Sequence, residues 1–286
     1  MIVVTGATGH IGSELVRLLS KKGESVRAVT RDPHPAQPLP RVEWAKGDLR
    51  DGPSLAGLFR GADRMFLLTP NSEDMVTLQV NAIRAARATG ISQIVKGSAL
   101  GASDHSGSLI GKAHYEVETA LQASGMAWTI LRPHVFMQNF LDMAPTISRE
   151  GVIRSASGEG KIPFIDARDI AAVAAVTLTL PGHEGKKYVL TGPEALGYRE
   201  VAKIIGDAIG RSVKYVAESP EEARERLLRA GAPAWSIDSM LALAAYQRVG
   251  GPTAMVSEAV ASLLGRPPGS FSQFVQDYAS AFRGQP

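Results

Sequence analysis

Gly6, Gly9 and Gly12, in the run Val4-Thr5-Gly6-Ala7-Thr8-Gly9-His10-Ile11-Gly12, are the residues whose spacing points most directly to chemistry. They follow the apolar stretch Ile2-Val3-Val4 and lead into Ile11, Leu15, Leu18 and Leu19, which recur at helical spacing. A strand that turns on glycine into a helix presents unpaired N–H groups and the positive end of the helix dipole to phosphate. The first glycine permits the tight turn, the second lets a pyrophosphate approach the backbone, and the third lets the helix pack close to the strand. The expected ligand is a dinucleotide held by Gly6, Thr8, Gly9, His10, Ile11 and Gly12. The alternative is a glycine-rich connection that binds nothing. No Gly-Lys-Ser/Thr closes the turn, so nucleotide hydrolysis is not expected.

The second strand, Val26-Arg27-Ala28-Val29-Thr30, ends on Arg31. A carboxylate at that point accepts from a ribose 2′-hydroxyl, whereas a guanidinium meets a 2′-phosphate with paired charge-assisted hydrogen bonds. Asp32 follows, but successive strand residues point to opposite faces, so only one of the two can address one ribose. NADP(H) is therefore expected in preference to NAD(H), the alternative being that Arg31 is a solvated loop charge. Asp48 and Leu49 follow the third strand, where related folds hold the adenine. Leu68-Thr69-Pro70 and Gly97-Ser98 fall at the carboxyl ends of strands, where open α/β sheets bind ligands.

These residues need a scaffold, and the first half of the chain supplies its pattern. Short β-branched runs are expected as strands at 2–5, 25–30, 42–46, 64–68, 92–98 and 127–132, with helices at 11–22, 53–60, 73–89 and 110–124 between them. That alternation predicts an α/β, Rossmann-like, doubly wound parallel sheet. The proline-rich segment 33–41 reads as a loop. Beyond Pro133 the alternation weakens: helices are expected at 169–180, 198–209, 220–230 and 271–282, and strands at 187–191 and 213–216. The predicted organisation is a dinucleotide-binding domain over 1–150 and a smaller mixed substrate lobe over 151–286, with the chain free to cross back and a substrate cleft between them.

Composition narrows the chemistry. The 286 residues include no cysteine, which excludes disulfides, thiolate metal sites, iron–sulfur clusters and cysteine nucleophiles. The net charge of +3 is not concentrated in a basic stripe, so no nucleic-acid partner is expected. No apolar run approaches membrane-spanning length and the start lacks the pattern of a secretory signal, so a cytoplasmic protein without membrane contact is expected. The histidines have no metal-ligand spacing and no Gly-x-Ser-x-Gly elbow occurs; neither a metal nor a serine hydrolase is expected.

The Val-Thr-Gly-Ala-Thr-Gly-x-Ile-Gly opening resembles the extended and atypical branches of the short-chain dehydrogenase/reductase superfamily. Most members carry Tyr-x-x-x-Lys on the helix after strand five, followed four residues later by Glu. Aligning Glu118 with that Glu puts His114 at the lysine and Ile110 at the tyrosine, so the usual proton donor is missing. Tyr115 lies about 100° round the helix from His114 and does not replace it. This departure, with Ser124–Pro133, Phe136-Met137-Gln138-Asn139, Phe164–Ala171 and Leu264-Gly265-Arg266-Pro267-Pro268, resembles the NmrA-like atypical family, including bacterial NADPH-dependent quinone reductases and triphenylmethane or azo dye reductases.

The resemblance implies a reductase that passes hydride from NADPH, without flavin, to a planar electron-poor acceptor such as a quinone, dye or azo compound. His114 is then the one titratable candidate on the catalytic helix, either giving a proton or pairing structurally with Glu118 one turn later. Phe136 is expected at the cofactor and Asn139 at the substrate, with core packing as the alternative for Phe136 and Met137. Trp235, Met240 and Tyr246 are candidates for an apolar wall. The rival reading is a non-catalytic NADP(H)-binding redox sensor. An epimerase or dehydratase is disfavoured because those enzymes keep the tyrosine pair. A monomer or homodimer is expected.

Overall fold

The computed structural model describes residues 1–32 and 38–284. Residues 33–37 of the proline-rich loop expectation lie outside the described residues. The chain runs β1 (Ile2–Val4), α1 (His10–Lys21), β2 (Val26–Thr30), β3 (Val42–Lys46), α2 (Gly52–Phe59), β4 (Arg64–Leu67), α3 (Met75–Ala88), β5 (Gln93–Gly97), α4 (Leu109–Gln122) and β6 (Ala127–Pro133). It continues through α5 (Asn139–Glu150), β7 (Val152–Ser155), α6 (Ala167–Thr179), β8 (Lys186–Leu190), α7 (Tyr198–Ile209), β9 (Lys214–Ala217) and α8 (Pro220–Arg229). The last elements are α9 (Ala234–Val249), a 3₁₀ turn (Gly251–Ala254), α10 (Ala259–Leu264), α11 (Phe271–Asp277) and α12 (Ala279–Arg283).

Seven strands form one sheet in the order β3-β2-β1-β4-β5-β6-β8. β1 pairs in parallel with both β2 and β4, Ile2 lying opposite Val26 and Arg64, and parallel pairing extends to β3 on one side and β6 on the other. The order reverses between β1 and β4, which is the switch point of a Rossmann-like doubly wound fold. The period of two along each strand sorts side chains to two faces. Val3, Val29, Met65, Leu67 and Ile94 pack with Leu55 and Phe59 of α2, Leu78 and Ile83 of α3, and Val117 and Leu121 of α4. On the other face Gln93 donates to the Thr177 carbonyl of α6 at 3.2 Å, and the Arg64 guanidinium donates to the Leu178 carbonyl. Phe59 and Leu55 have no exposed surface, so each contributes about 2–3 kcal/mol of burial free energy.

Two compact units result. One takes residues 1–106, 110–133 and 168–189; the other takes 107–109, 134–167 and the described residues from Leu190 onward. The second unit carries a parallel pair, β7 with β9, in the register Val152↔Lys214. Its core is aromatic: Phe140 meets Phe164 and Phe271 edge-on with ring centroids 5.1 Å apart in both cases. α7 has the expected bounds and ends on Gly210 at φ 74, a left-handed cap that glycine adopts without strain. The expected single helix over 271–282 is two helices, broken at Tyr278. The apolar spacing continues across the break because Phe274 and Phe282 both reach the same core.

Candidate active site

The glycine turn divides its residues by what forces them to be glycine. Gly6 has φ +63, and a Cβ there would stand 2.9 Å from the Leu68 carbonyl oxygen. At Gly12 a Cβ would lie 2.1 Å from the Gly6 carbonyl oxygen, inside its van der Waals surface. At Gly9 it would meet only that same oxygen, at an ordinary 3.5 Å, so the protein's own packing makes no such demand there. Gly9 caps α1 with no side-chain hydrogen bond, and no acidic residue stands in the first turn. Among the described residues the first-turn N–H groups thus lack a side-chain acceptor, which suits an anionic group at that end. Thr8, Gly9 and His10 are exposed, but Ile11 and Gly12 are buried. Ile11 is therefore a core side chain, with only its backbone open to a ligand contact.

Thr5, which sequence reasoning passed over, ties the ends of two strands together. Its hydroxyl donates to the Leu68 carbonyl at 2.8 Å and accepts from the Leu68 N–H at 2.9 Å, bringing residues 68–70 beside the turn. Thr69 is held in turn by the Gln79 amide of α3 at 2.9 Å. Gln79 is fully buried and its Oε1 has no partner among the described residues. Pro70, the last of this expected group, is exposed.

β2 ends at Thr30, so Arg31 and Asp32 lie in a bend beyond it and both are exposed. The strand alternation invoked to separate them does not apply. What remains is the exposed guanidinium itself. Asp48 spends its carboxylate locally: Oδ1 accepts from the Arg50 N–H at 3.0 Å and Oδ2 stands 3.5 Å from the Arg50 guanidinium. Leu49 is buried, and its carbonyl accepts from Asn81 at 3.1 Å.

At the carboxyl end of β5, Gly97 and Ser98 are buried, and the Ser98 hydroxyl donates to Glu118 Oε1 at 2.6 Å. Glu118 also takes two hydrogen bonds from the Arg132 guanidinium, at 2.9 and 2.5 Å, and stands 3.5 Å from Lys187. Burial pushes this carboxyl up, but the bonds from Arg132 and Ser98 and the charges of Arg132 and Lys187 outweigh it and hold the group below its usual range. Glu118 is thus committed to β6 and β8, and the expected His114–Glu118 pairing is corrected. The partner of His114 is Lys96, whose Nζ lies 3.1 Å from His114 Nδ1 and donates to the Gly97 carbonyl at 2.9 Å.

Two periodicities produce this contact. Lys96 is two residues beyond Ile94 on β5 and so shares its face. On α4, His114, Val117 and Leu121 recur at helical spacing and turn toward that face, where Val117 and Leu121 join the core. Gly111 lets the first turn of α4 seat closely, since a Cβ there would be 2.1 Å from Ser106 Oγ and 2.7 Å from the Gly101 carbonyl. Lys96 has no exposed surface and His114 only 4%. Burial brings the ammonium down to about 7 against the opposing pull of Glu118. Burial, then the charge of Lys96, push the imidazole well below its ordinary value.

In the second unit, Phe136 is half-buried and bridges to Ile165, Met137 is core, and Asn139 is exposed at the start of α5. Between Met137 and Asn139 lies Gln138, buried and hydrogen-bonded through both its amide nitrogen and its amide oxygen. It donates to Asp166 Oδ1 at 2.9 Å and accepts from the Ala167 N–H at 2.9 Å. His134 accepts from the Val135 N–H at Nδ1 and so donates from Nε2 to the Thr253 carbonyl at 3.0 Å. Trp235, Met240 and Tyr246 all lie on α9, the first half-buried and the others exposed. At 3.6 residues per turn Tyr246 is about 20° from Trp235 but Met240 about 140°, so the three do not form one wall. Among the described residues no cluster of three or more His, Asp or Glu is placed to hold a metal, and no helix is long and apolar enough to cross a membrane.

Strand order, switch point and glycine turn together define a Rossmann-type α/β protein. Within that class the chain belongs to the NmrA-like family, whose model matches residues 1–261. It is 40% identical over 287 residues to the NAD(P)H azoreductase of Xenophilus azovorans, with 99% of each chain covered. A (4-alkanoyl-5-oxo-2,5-dihydrofuran-3-yl)methyl phosphate reductase of Streptomyces griseus is 35% identical over 284 residues, again with 99% of both chains covered. The structure of the NADPH-dependent quinone oxidoreductase QOR2 of Escherichia coli, complexed with NADPH, matches with a TM-score of 0.89 at 29% identity, over 98% of this chain and 100% of that one.

Proposed function

We propose that this protein is an NADPH-dependent reductase of planar, electron-poor organic acceptors, with quinones and azo compounds as the leading class. The observation that carries the cofactor half is the contrast within the turn: Gly6 and Gly12 are required by the protein's own packing, whereas Gly9 is not. A glycine without an internal steric reason, at the uncapped start of α1, fits a site where phosphate approaches the backbone. The acceptor half rests on the likeness to the azoreductase and the quinone oxidoreductase.

The dinucleotide, when bound, supplies a hydride. The chain's own residues do the rest. The α1 N–H groups hold the pyrophosphate, Arg31 meets the 2′-phosphate, and residues 68–70 and 97–98 line the strand ends. His114, buried and neutral, offers a proton in place of the missing tyrosine. Phe136 is a proposed contact for the cofactor; Asn139, Trp235 and Tyr246 are proposed contacts for the acceptor, and Met240 is not, being turned from the other α9 residues. The test is to follow loss of reduced-nicotinamide absorbance with NADPH and a panel of quinones and azo compounds. Tight NADPH binding with no turnover of any acceptor would refute the reductase and leave a redox sensor.

A further inference from the structure

Lys96 has a chemical oddity that the cofactor site does not use. Its ammonium is enclosed on the face of β5 that Ile94 fills with an apolar side chain, and it forms no salt bridge among the described residues. The charged groups around it are Glu118 on α4, already bonded by Ser98 and Arg132, and then Arg132 on β6 and Lys187 on β8, both spent on that same carboxylate. What faces Nζ directly is the Gly97 carbonyl and His114 Nδ1, which must accept while Nζ is an ammonium. An imidazole that accepts at Nδ1 carries its proton at Nε2. Of the pair only His114 has any exposed surface.

We propose that Lys96 is the proton reserve of the reduction, acting through His114 as a positioning and relay residue. This rests on the reductase reading above. Once hydride has reached the acceptor, its anionic oxygen or nitrogen takes the Nε2 proton. That transfer alone would leave an imidazolate. Instead Nδ1 gains a proton from Lys96 as the Nζ–H bond breaks, so the histidine ends as its other neutral tautomer and the lysine as a free amine. Water then reprotonates Nε2 and Nδ1 returns its proton to Nζ, which restores the starting state. Electrons come only from the hydride, and one proton passes from solvent to product per turnover. A lysine lowered to about 7 is suited to this exchange near neutrality, because its proton is neither tightly held nor already lost.

The chemistry of the acceptor supplies the experiment. A quinone takes a hydride and a proton, whereas a cationic triarylmethane dye takes a hydride alone and becomes neutral. Lys96→Met should slow quinone reduction on the order of 10- to 100-fold, leave dye reduction and NADPH affinity near the parent values, and abolish the inflection near pH 7 in kcat for the quinone. Equal loss with both acceptors, or no loss with the quinone, overturns the relay; a parent that reduces neither overturns the reductase reading instead. A second measurement depends neither on turnover nor on Lys96→Met folding. With ¹⁵N-labelled histidine in the parent, and His114→Gln to assign the signal, His114 should show a protonated Nε2 and a bare Nδ1 below neutrality. A proton resident on Nδ1 there overturns the proposal.

Discussion

Exchanging Gly9 or Gly12 for alanine separates what the turn does for the fold from what it does for a ligand. At Gly12 the new methyl would lie 2.1 Å from the Gly6 carbonyl oxygen and 2.9 Å from the Ala7 Cα, backbone on both sides. Relief requires moving α1 away from β1, and overpacking of that kind costs about 3 kcal/mol or more. At Gly9 the backbone is at φ −80 and ψ 173, where alanine is unstrained, and the nearest atom is 3.5 Å away. Lower unfolded-state entropy favours alanine by about 0.4–1 kcal/mol, and the poorer helix cap disfavours it by a comparable amount, so the net change stays within about 1 kcal/mol. A methyl between backbone and pyrophosphate should nevertheless weaken NADPH more than about 10-fold, or 1.4 kcal/mol. Thermal melting without cofactor and fluorescence titration with NADPH give the two readings. Gly9→Ala should melt within a few degrees of the parent and bind poorly, whereas Gly12→Ala should fail at both. If Gly9→Ala kept its NADPH affinity within about twofold, the phosphate would not lie over this turn and the reasoning would be wrong.

Arg31→Ala should weaken NADPH by about 10- to 100-fold, the worth of a charge-assisted pair, with little change for NADH; equal losses would remove the 2′-phosphate assignment. His134 is held at about 4, chiefly by burial, against an ordinary value near 6.5. The unfolded chain binds that proton first, so the stability His134 contributes is complete above about pH 6.5 and is lost as pH falls toward 4, a change of about 3 kcal/mol. Denaturant unfolding across that range should show a shallower slope in His134→Asn, and identical slopes would exclude the assignment. Phe140→Ala removes a ring that meets both Phe164 and Phe271 at 5.1 Å and should cost about 3–5 kcal/mol by chemical denaturation; a loss below about 1 kcal/mol would mean that this core repacks.

The first half of the fold was legible because each signal was local. Six strands and four helices through residue 133 lie within a few residues of expectation, since β-branched runs, glycine turns and helical periods coincide there. In the second unit α7, α8 and β9 lie within a residue of expectation, and the elements that resisted did so for physical reasons. α5 carries Pro145 inside it, a residue that argues against a helix in sequence terms. α9 spreads apolar residues around its axis, with Met240, Leu243, Tyr246 and Val249 exposed while Ile237 and Ala244 are buried, so no single stripe announces it. Tyr278 interrupts a spacing that both flanking helices share.

The site was legible where function is written in backbone geometry and obscure where it is written in tertiary contact. Glycine spacing exposed the strand–turn–helix geometry because at Gly6 and Gly12 only a missing side chain permits it. Thr5 carries no such mark: a threonine in a strand is ordinary until Leu68 is known to lie beside it. Lys96 did leave a trace. In Gln93-Ile94-Val95-Lys96-Gly97 the lysine has the same parity as Ile94, so a strand covered on both faces must bury it. A buried ammonium without a carboxylate demands an acceptor and shifts toward neutrality. The missing Tyr-x-x-x-Lys pair had pointed to a helix without its acid. In the proposed relay the strand beside that helix supplies a cation, so that support for the proton donor comes from β5 instead of α4, and no motif confined to one helix would reveal that exchange.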